Sequence, residues 1–356
     1  MPRSILTLLT LALVGCCTLF CAAEKPVPKA VRAVVETTLA TADKHIRQFA
    51  FDGDPDTYFL SKSNAGKADH FTLVFDSPVA VTSITASTGR PEGGDRLNAG
   101  VLQVSKDGQD FKEIAKFADG TANAKLNTVQ VKAIRIQPAA DLTHPLAVCE
   151  LKVESAPSVA VFKYPVEYVI DAVDDAALRP WFEKVARLCE REYSPIAERL
   201  ASPGFRPPTV VTMSLKSDYR GVAEAGGGRI KGSVAFFKAH PDDVGAFIHE
   251  TVHIIQSYRT PGNPGWLVEG IADYVRFYEW EPKKPARLKP EQAKYNGSYR
   301  TTAAFLAFLT EKYDRDIVAK LNRAMREGEY KEELFRTLTR KSVQELEKEW
   351  QESLRD

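Results

Sequence analysis

Cysteine is scarce in this chain of 356 residues. Of five cysteines, Cys16, Cys17 and Cys21 lie near the start, and only Cys149 and Cys189 remain beyond. Two cysteines cannot make a disulfide framework for a chain of this size, so apolar cores or bound metals must hold the fold. Cys149 falls in an alternating run and Cys189 in a helical pattern, so both read as buried thiols, with a bridge between them as the alternative. Net charge is also small, +1 in full and zero once Arg3 is discounted. That balance gives no support to a nucleic-acid or anionic-membrane partner. Long apolar runs are missing as well. The stretch 5–14 is about ten residues, short of the roughly 20 that a spanning helix needs, and no later segment is apolar enough to span. Residues 30–155 contain no tryptophan.

What is present describes ordinary globular domains. Hydrophobic residues make up 44% and charged residues 27%. The length allows two cores. Residues 1–23 read as a signal peptide, with Arg3 as the positive end, 5–14 as the apolar segment and Cys21-Ala22-Ala23 as small residues before cleavage at Glu24. Leu13-Val14-Gly15-Cys16 offers a competing reading, a lipobox that would anchor the chain through a lipidated Cys16. Both readings export the protein to a secreted, periplasmic or extracellular location.

Short alternating runs fill residues 30–155: 70–75, 81–86, 101–105, 128–131 with 134–136, and 146–153. Turn signals separate them, at Gly53-Asp54-Pro55, Gly93-Gly94-Asp95 and Lys106-Asp107-Gly108. Many short strands with little helix predict an all-β jelly-roll sandwich. Segments 50–59 (AFDGDPDTYF), 104–108 (VSKDG) with Phe111, 133–136 (AIRI) and 145–150 (PLAVCE) resemble the discoidin-like family, also called F5/8 type C or galactose-binding-like. The resemblance implies a structural Ca²⁺ held by Asp52, Thr57 and Glu150 side chains and by carbonyl oxygen from Asp54, a hard-oxygen set that suits that ion. Without the resemblance, Asp52, Asp54 and Asp56 make a turn. It also implies a docking role toward a carbohydrate or cell-surface ligand. Phe59 stands where such domains usually carry tryptophan, which weakens the sugar reading.

Residues 160–356 form the second predicted domain, α+β in character. Strands are expected at 164–170 and 209–215, a helix from Asp174 to about residue 192, and a further helix over 195–200. A glycine-rich turn at 226–228 leads into a strand over 230–236, expected as an open sheet edge for an extended peptide. Helices are expected at 266–277, 299–313, 315–327, 331–338 and 342–354, with a proline-bearing loop over 279–298.

Residues 249–253 read H-E-x-x-H. Positions i and i+4 share one helix face, so His249 and His253 can present two imidazoles to one ion, with Glu250 beside it as general base. Glu269, sixteen residues on, is the best third ligand for Zn²⁺, which in catalytic sites takes three protein ligands and keeps one position open. Asp273 is one turn beyond and can hydrogen-bond the far nitrogen of a ligand histidine. Candidates for the oxyanion donor are Tyr299, Tyr274, Tyr295 and Arg276, with Tyr299 favoured because it opens the next helix. Gln256 reads equally as a polar rim contact or an exposed helix residue.

Strands first, helices after and the motif between them is the layout of a zincin metallopeptidase. The G-x-x-H continuation of a metzincin is missing, and Glu269 to Asp273 fits the E-x-x-x-D register of gluzincins. Segments 193–196 (YSPI), 219–222 (YRGV), 240–243 (HPDD), 249–253 (HETVH), 266–276 (WLVEGIADYVR) and 301–306 (TTAAFL) resemble the basic secretory protein family of gluzincin-type metallopeptidases. The resemblance implies a zinc peptidase acting on protein or peptide substrates. The mature chain is near neutral, unlike the family's name. A binding or adhesion protein with an inactive peptidase fold is the alternative, and the ligands alone also allow a zinc hydrolase of non-peptide amides.

Overall fold

The computed structural model describes residues 30–259, 261–282 and 288–355. The leader and its cleavage or lipidation residues lie outside that range.

The first part is an antiparallel β-sandwich. Its strands are β1 (Ala33–Thr37), β2 (Phe59–Asn64), β3 (Phe71–Thr88), β4 (Gly100–Ser105), β5 (Phe111–Lys116), β6 (Thr121–Pro138) and β7 (Pro145–Ala156). Two of them are far longer than their alternating patterns predict. The runs 70–75 and 81–86 are one strand, β3, and the runs near 129 and 134 are both within β6. A register shift between Val74 and Val79, at Asp76-Ser77-Pro78, bends β3 so that each half joins a different layer. The first half pairs with β1 and the second with β7, while β6 follows the same bend and pairs with β4 through residues 133–138. Strand polarity broken by a bulge looks like two strands in sequence because the buried face changes there. Phe59, Phe71, Leu73, Phe75, Ile84, Ile134 and Ile136 fill the space between the layers.

The second part is mixed α/β. Strands β8 (Glu167–Val173), β9 (Val210–Lys216), β10 (Ala223–Gly226) and β11 (Arg229–Ser233) form one sheet in the order β10-β11-β9-β8. β8, β9 and β11 run parallel and β10 is antiparallel to β11. The helices are α1 (Arg179–Arg199), α2 (Val234–Ala239), α3 (Gly245–Gln256), α4 (Gly265–Tyr274), α5 (Tyr299–Lys312), α6 (Ile317–Glu327), α7 (Leu334–Thr339) and α8 (Val343–Ser353). A π-helical turn, Val275–Trp280, extends α4. Among the described residues no helix is long and apolar enough to cross a membrane.

Three expectations are corrected here. The expected edge strand over 230–236 is not at the edge: β11 is sandwiched between β9 and β10, and its last residues turn into α2, which Ser233 caps through the Phe236 N–H. β10 is the edge instead. Gly227 and Gly228 both have positive φ, +57° and +75°, which lets the chain reverse in two residues and lay β10 outside β11. The helix expected to stop near 192 runs on as α1 through Pro195. An internal proline costs about 3 kcal/mol. Burial of Tyr193 and Ile196 on either side of it offsets that cost at about 1.5–3 kcal/mol for each large side chain. Asp175, not Asp174, caps the 3-10 turn that leads into α1. Cys149 and Cys189 are both free.

Each part has its own core, and a buried polar seam joins them. Phe162 packs in the sandwich core, edge-on to Phe51 at 5.9 Å between ring centres. Gln48 accepts from the Val166 N–H at 2.8 Å and donates to the Glu190 carbonyl at 3.2 Å. Arg47 pairs with Glu167 at 2.5 Å, and Thr41 donates to the same carboxylate. Burial alone would lower the Arg47 pKa, but Glu190 and Glu167 outweigh it and hold the guanidinium charged. Arg32 pairs with Glu192 across the same seam.

Candidate metal centre and active site

α3 is apolar on nearly every side. Phe247, Ile248, Val252, Ile254 and Ile255 pack into the second core, while His249 and His253 meet Glu269 and Asp273 of α4 and Glu250 lies next to them on the helix. Ser257, in the left-handed region at φ +44°, ends the helix. Arg326 caps it, donating to the carbonyls of Ile255 and Gln256. β10 packs along α3, so the open sheet edge borders the motif.

α4 brings the second pair. Glu269 and Asp273 are one turn apart and both face α3. Gly270 between them allows α5 to approach closely: a β-carbon there would sit 2.2 Å from Thr302 Cγ2. α5 begins at Tyr299, so this contact also brings Tyr299 to the site.

Three ligand-type atoms converge. His249 Nε2, His253 Nε2 and one Glu269 oxygen lie within 4.8 Å of one another, as the one such His/Cys/Asp/Glu trio among the described residues. The separations are 3.1 Å between the two ring nitrogens, 3.1 Å from His249 to Glu269 and 3.3 Å from His253 to Glu269. The far nitrogens are engaged. His249 Nδ1 donates to Asp273 Oδ1 at 2.7 Å, and His253 Nδ1 to Gln256 Oε1 at 2.8 Å. A neutral imidazole that donates at Nδ1 carries its lone pair on Nε2. Two such nitrogens 3.1 Å apart need a cation between them, either a proton or a metal ion. The donor set therefore fits a metal ion.

The charges agree with that need for a cation. Burial alone would lower the His249 pKa, but Asp273 and Glu269 outweigh it and raise it to about 9. Burial would raise Glu269, yet the two histidines bring it down to about 2. Glu250 is buried and its pKa is raised by that burial, partly countered by His249 and His253. Tyr299 is 52% exposed, stacked at 25° to the His249 ring with centres 6.1 Å apart. Its phenol pKa is raised, first by Glu269 and then by burial. Ser298 and Tyr299 both have positive φ, +73° and +40°, a strained entry to α5.

The other oxyanion candidates are engaged elsewhere. Tyr274 is buried and stacked on Tyr278. Tyr295 donates to Glu332. Arg276 pairs with Asp243 and lies over the Phe277 ring. Gln256 is neither rim nor exposed: it is 1% accessible and bonded to His253 and Val268. Helical periodicity could have flagged it, since position 256 follows His253 by three, but its partner on α4 is not encoded locally.

In the sandwich, Thr57 Oγ1 lies 3.0 Å from both Asp52 carboxylate oxygens and from the Asp54 carbonyl oxygen. The Asp54 side chain instead accepts from the Asp56 N–H at 3.0 Å. Glu150 on β7 is buried, and burial followed by the Asp52 charge raises its pKa to about 7. Burial also raises the pKa of Asp52, so both carboxyls are held in an environment that disfavours their charge.

The BSP family model, described as a peptidase of plants and bacteria, matches residues 156–350. The F5/8 type C domain model matches residues 34–151. No curated protein matches the chain. Solved structures similar to it include a CBM32 module of Clostridium perfringens in complex with GalNAc-β-1,3-galactose, at 20% identity and TM-score 0.29, covering 34% of this chain and 94% of that one. Another is CBM32-1 of a family 31 glycoside hydrolase from Clostridium perfringens, at 18% identity and TM-score 0.30, covering 36% and 95%. A third is chitosan-binding module 2 of a chitosanase/glucanase from Paenibacillus sp. IK-5, with chitotriose, at 15% identity and TM-score 0.30, covering 35% and 97%.

Proposed function

Because this chain belongs to the BSP family of peptidases, we propose that it is an exported, zinc-dependent peptidase with an N-terminal docking domain. The observation that carries the reading is the convergence of His249 Nε2, His253 Nε2 and Glu269 on one point beside the buried Glu250. Zinc is the metal of choice for two imidazoles and a carboxylate. When bound, it supplies a Lewis acid that acidifies water and polarises the scissile carbonyl.

The rest of the work falls to the chain. Glu250 takes the proton of the attacking water and passes it to the departing amine nitrogen. Burial raises its pKa, which makes it a stronger base than an exposed carboxylate. Tyr299 donates a hydrogen bond to the oxygen on which charge develops. Asp273 holds the His249 ring by its Nδ1–H. An extended substrate pairs its backbone with the open edge of β10, beside α3.

Residues 30–155 act as the docking domain and residues 160–356 as the peptidase. Asp52, Thr57, Glu150 and the Asp54 carbonyl hold a structural Ca²⁺ in the former. Its ligand is a carbohydrate or cell-surface group; similar modules are in complex with GalNAc-β-1,3-galactose and with chitotriose.

Glu250→Gln tests the mechanism. Peptide hydrolysis should fall by about 10²–10⁴-fold, the range for loss of a general base, with zinc content near that of the parent. Full activity in the metal-loaded variant would sink the reading. Zinc in the parent with no cleavage across a peptide library would favour a binding protein with an inactive fold.

A further inference from the structure

The two histidines of the metal centre are held by different kinds of partner. His249 donates to a carboxylate, Asp273, and His253 donates to a neutral amide, Gln256. The amide cannot be turned the other way. Its Nε2 donates to the Val268 carbonyl at 3.0 Å, and a carbonyl only accepts, so Oε1 must face His253. Gln256 is 1% accessible, so water does not compete for either bond.

We infer that Gln256 is a positioning residue of the metal centre: it keeps the proton of His253 on Nδ1 and ties that ring to the backbone beside Glu269. The inference rests on the zinc reading above. An amide oxygen facing Nδ1 accepts only if Nδ1 carries the proton, which leaves the Nε2 lone pair for the metal. The same amide reaches Val268, the residue before Glu269, so one side chain spans α3 and α4 at the point where the second and third ligands meet.

Neutrality matters as much as geometry. Glu250, Glu269 and Asp273 already place three carboxylates around the two rings. A fourth at position 256 would add negative charge in a region of low dielectric, where such charges repel strongly. An amide supplies the acceptor without the charge, and it also supplies the donor that a carboxylate lacks. Among the described residues no other hydrogen bond of the His253 Nδ1 atom competes for the role, since its polar contacts with Glu269 and His249 are made through Nε2.

The test uses the full chain and two variants with a readout other than turnover. Gln256→Met keeps the volume and removes the acceptor. Gln256→Glu keeps an acceptor for His253 and removes the donor to Val268. Zinc affinity, measured by competition with a chromogenic chelator, should fall about 10–100-fold in Gln256→Met, the usual cost of losing such a partner. Gln256→Glu should hold zinc more tightly than Gln256→Met, because the bond to His253 is restored. A folded Gln256→Met with parental zinc affinity would overturn the inference.

A second measurement needs no variant at position 256. In histidine-labelled, metal-free parent, long-range ¹⁵N correlations report which nitrogen carries the proton. The His253 signal, assigned by its loss in His253→Asn, should show the proton on Nδ1. A proton on Nε2 overturns the inference even if Gln256→Met fails to fold. A parent that shows the Nδ1 proton but binds no zinc would instead overturn the zinc reading and leave the Gln256–His253 pairing standing.

Discussion

Asp273 Oδ1 lies 2.7 Å from His249 Nδ1, on the side of the ring opposite Glu269. One imidazole thus bridges two carboxylates supplied by α4. Asp273→Asn keeps an oxygen near Nδ1 but removes the charge that raises the ring's basicity. Zinc affinity should fall about 10–100-fold, read by chelator competition, with far-UV circular dichroism unchanged.

Tyr299 is half exposed, so its hydroxyl contributes little to folding. Tyr299→Phe should leave the melting temperature unchanged and lower kcat by about 10²–10³-fold, the range for one lost oxyanion donor. KM should change much less. A drop in KM-linked affinity alone would show that the phenol binds substrate and does not stabilise charge.

Gly270 lets α4 and α5 touch. In Gly270→Ala the new methyl meets Thr302 Cγ2 at 2.2 Å, and overpacking of this kind costs about 1–3 kcal/mol. Better helix propensity would return up to about 1 kcal/mol. A lower melting temperature is expected, recovered when Thr302→Ala is added. If the two changes merely add, the contact is not the cause.

Glu349 carries the clearest pH dependence of stability. Its pKa is brought from 4.5 to about 2, first by Lys312, then Lys341 and Tyr313. A depressed carboxylate contributes its full stabilisation above pH 4.5 and loses it as pH falls toward 2. Partly exposed pairs are screened, so the contribution is on the order of 1 kcal/mol. Melting curves of Glu349→Gln and parent should differ at neutral pH and converge as the pH drops below 4.5 toward 2.

Calcium should raise the melting temperature of the metal-stripped protein. At about 100 times the dissociation constant the gain is about 2.7 kcal/mol. Glu150→Gln should abolish the gain while leaving zinc content intact. A rise of equal size in that variant would place the ion elsewhere.

Much of the site was legible because it is local. His249 and His253, and again Glu269 and Asp273, are pairs at helical spacing, and a helix places such pairs on one face whatever surrounds it. Gln256 was not legible, because its meaning lies in the Val268 carbonyl on another helix. The edge strand is one element away from its expected place: the run at 230–236 holds a strand only as far as Ser233 and carries no sign of that strand's neighbours. In the sandwich, the bulge at residues 75–78 made one strand read as two.

The sequence by itself therefore determined the kinds of element, the two cores and the ligand-bearing faces, since each follows from periodicity and residue chemistry over one or two turns. Tertiary structure alone decided what those faces meet. It set α4 against α3 so that Glu269 closes the trio, brought Tyr299 over the His249 ring, buried Gln256 between two helices, and carried α1 unbroken through Pro195. Each of these depends on packing between residues distant in the chain, and only the folded core supplies the energy that selects one such packing.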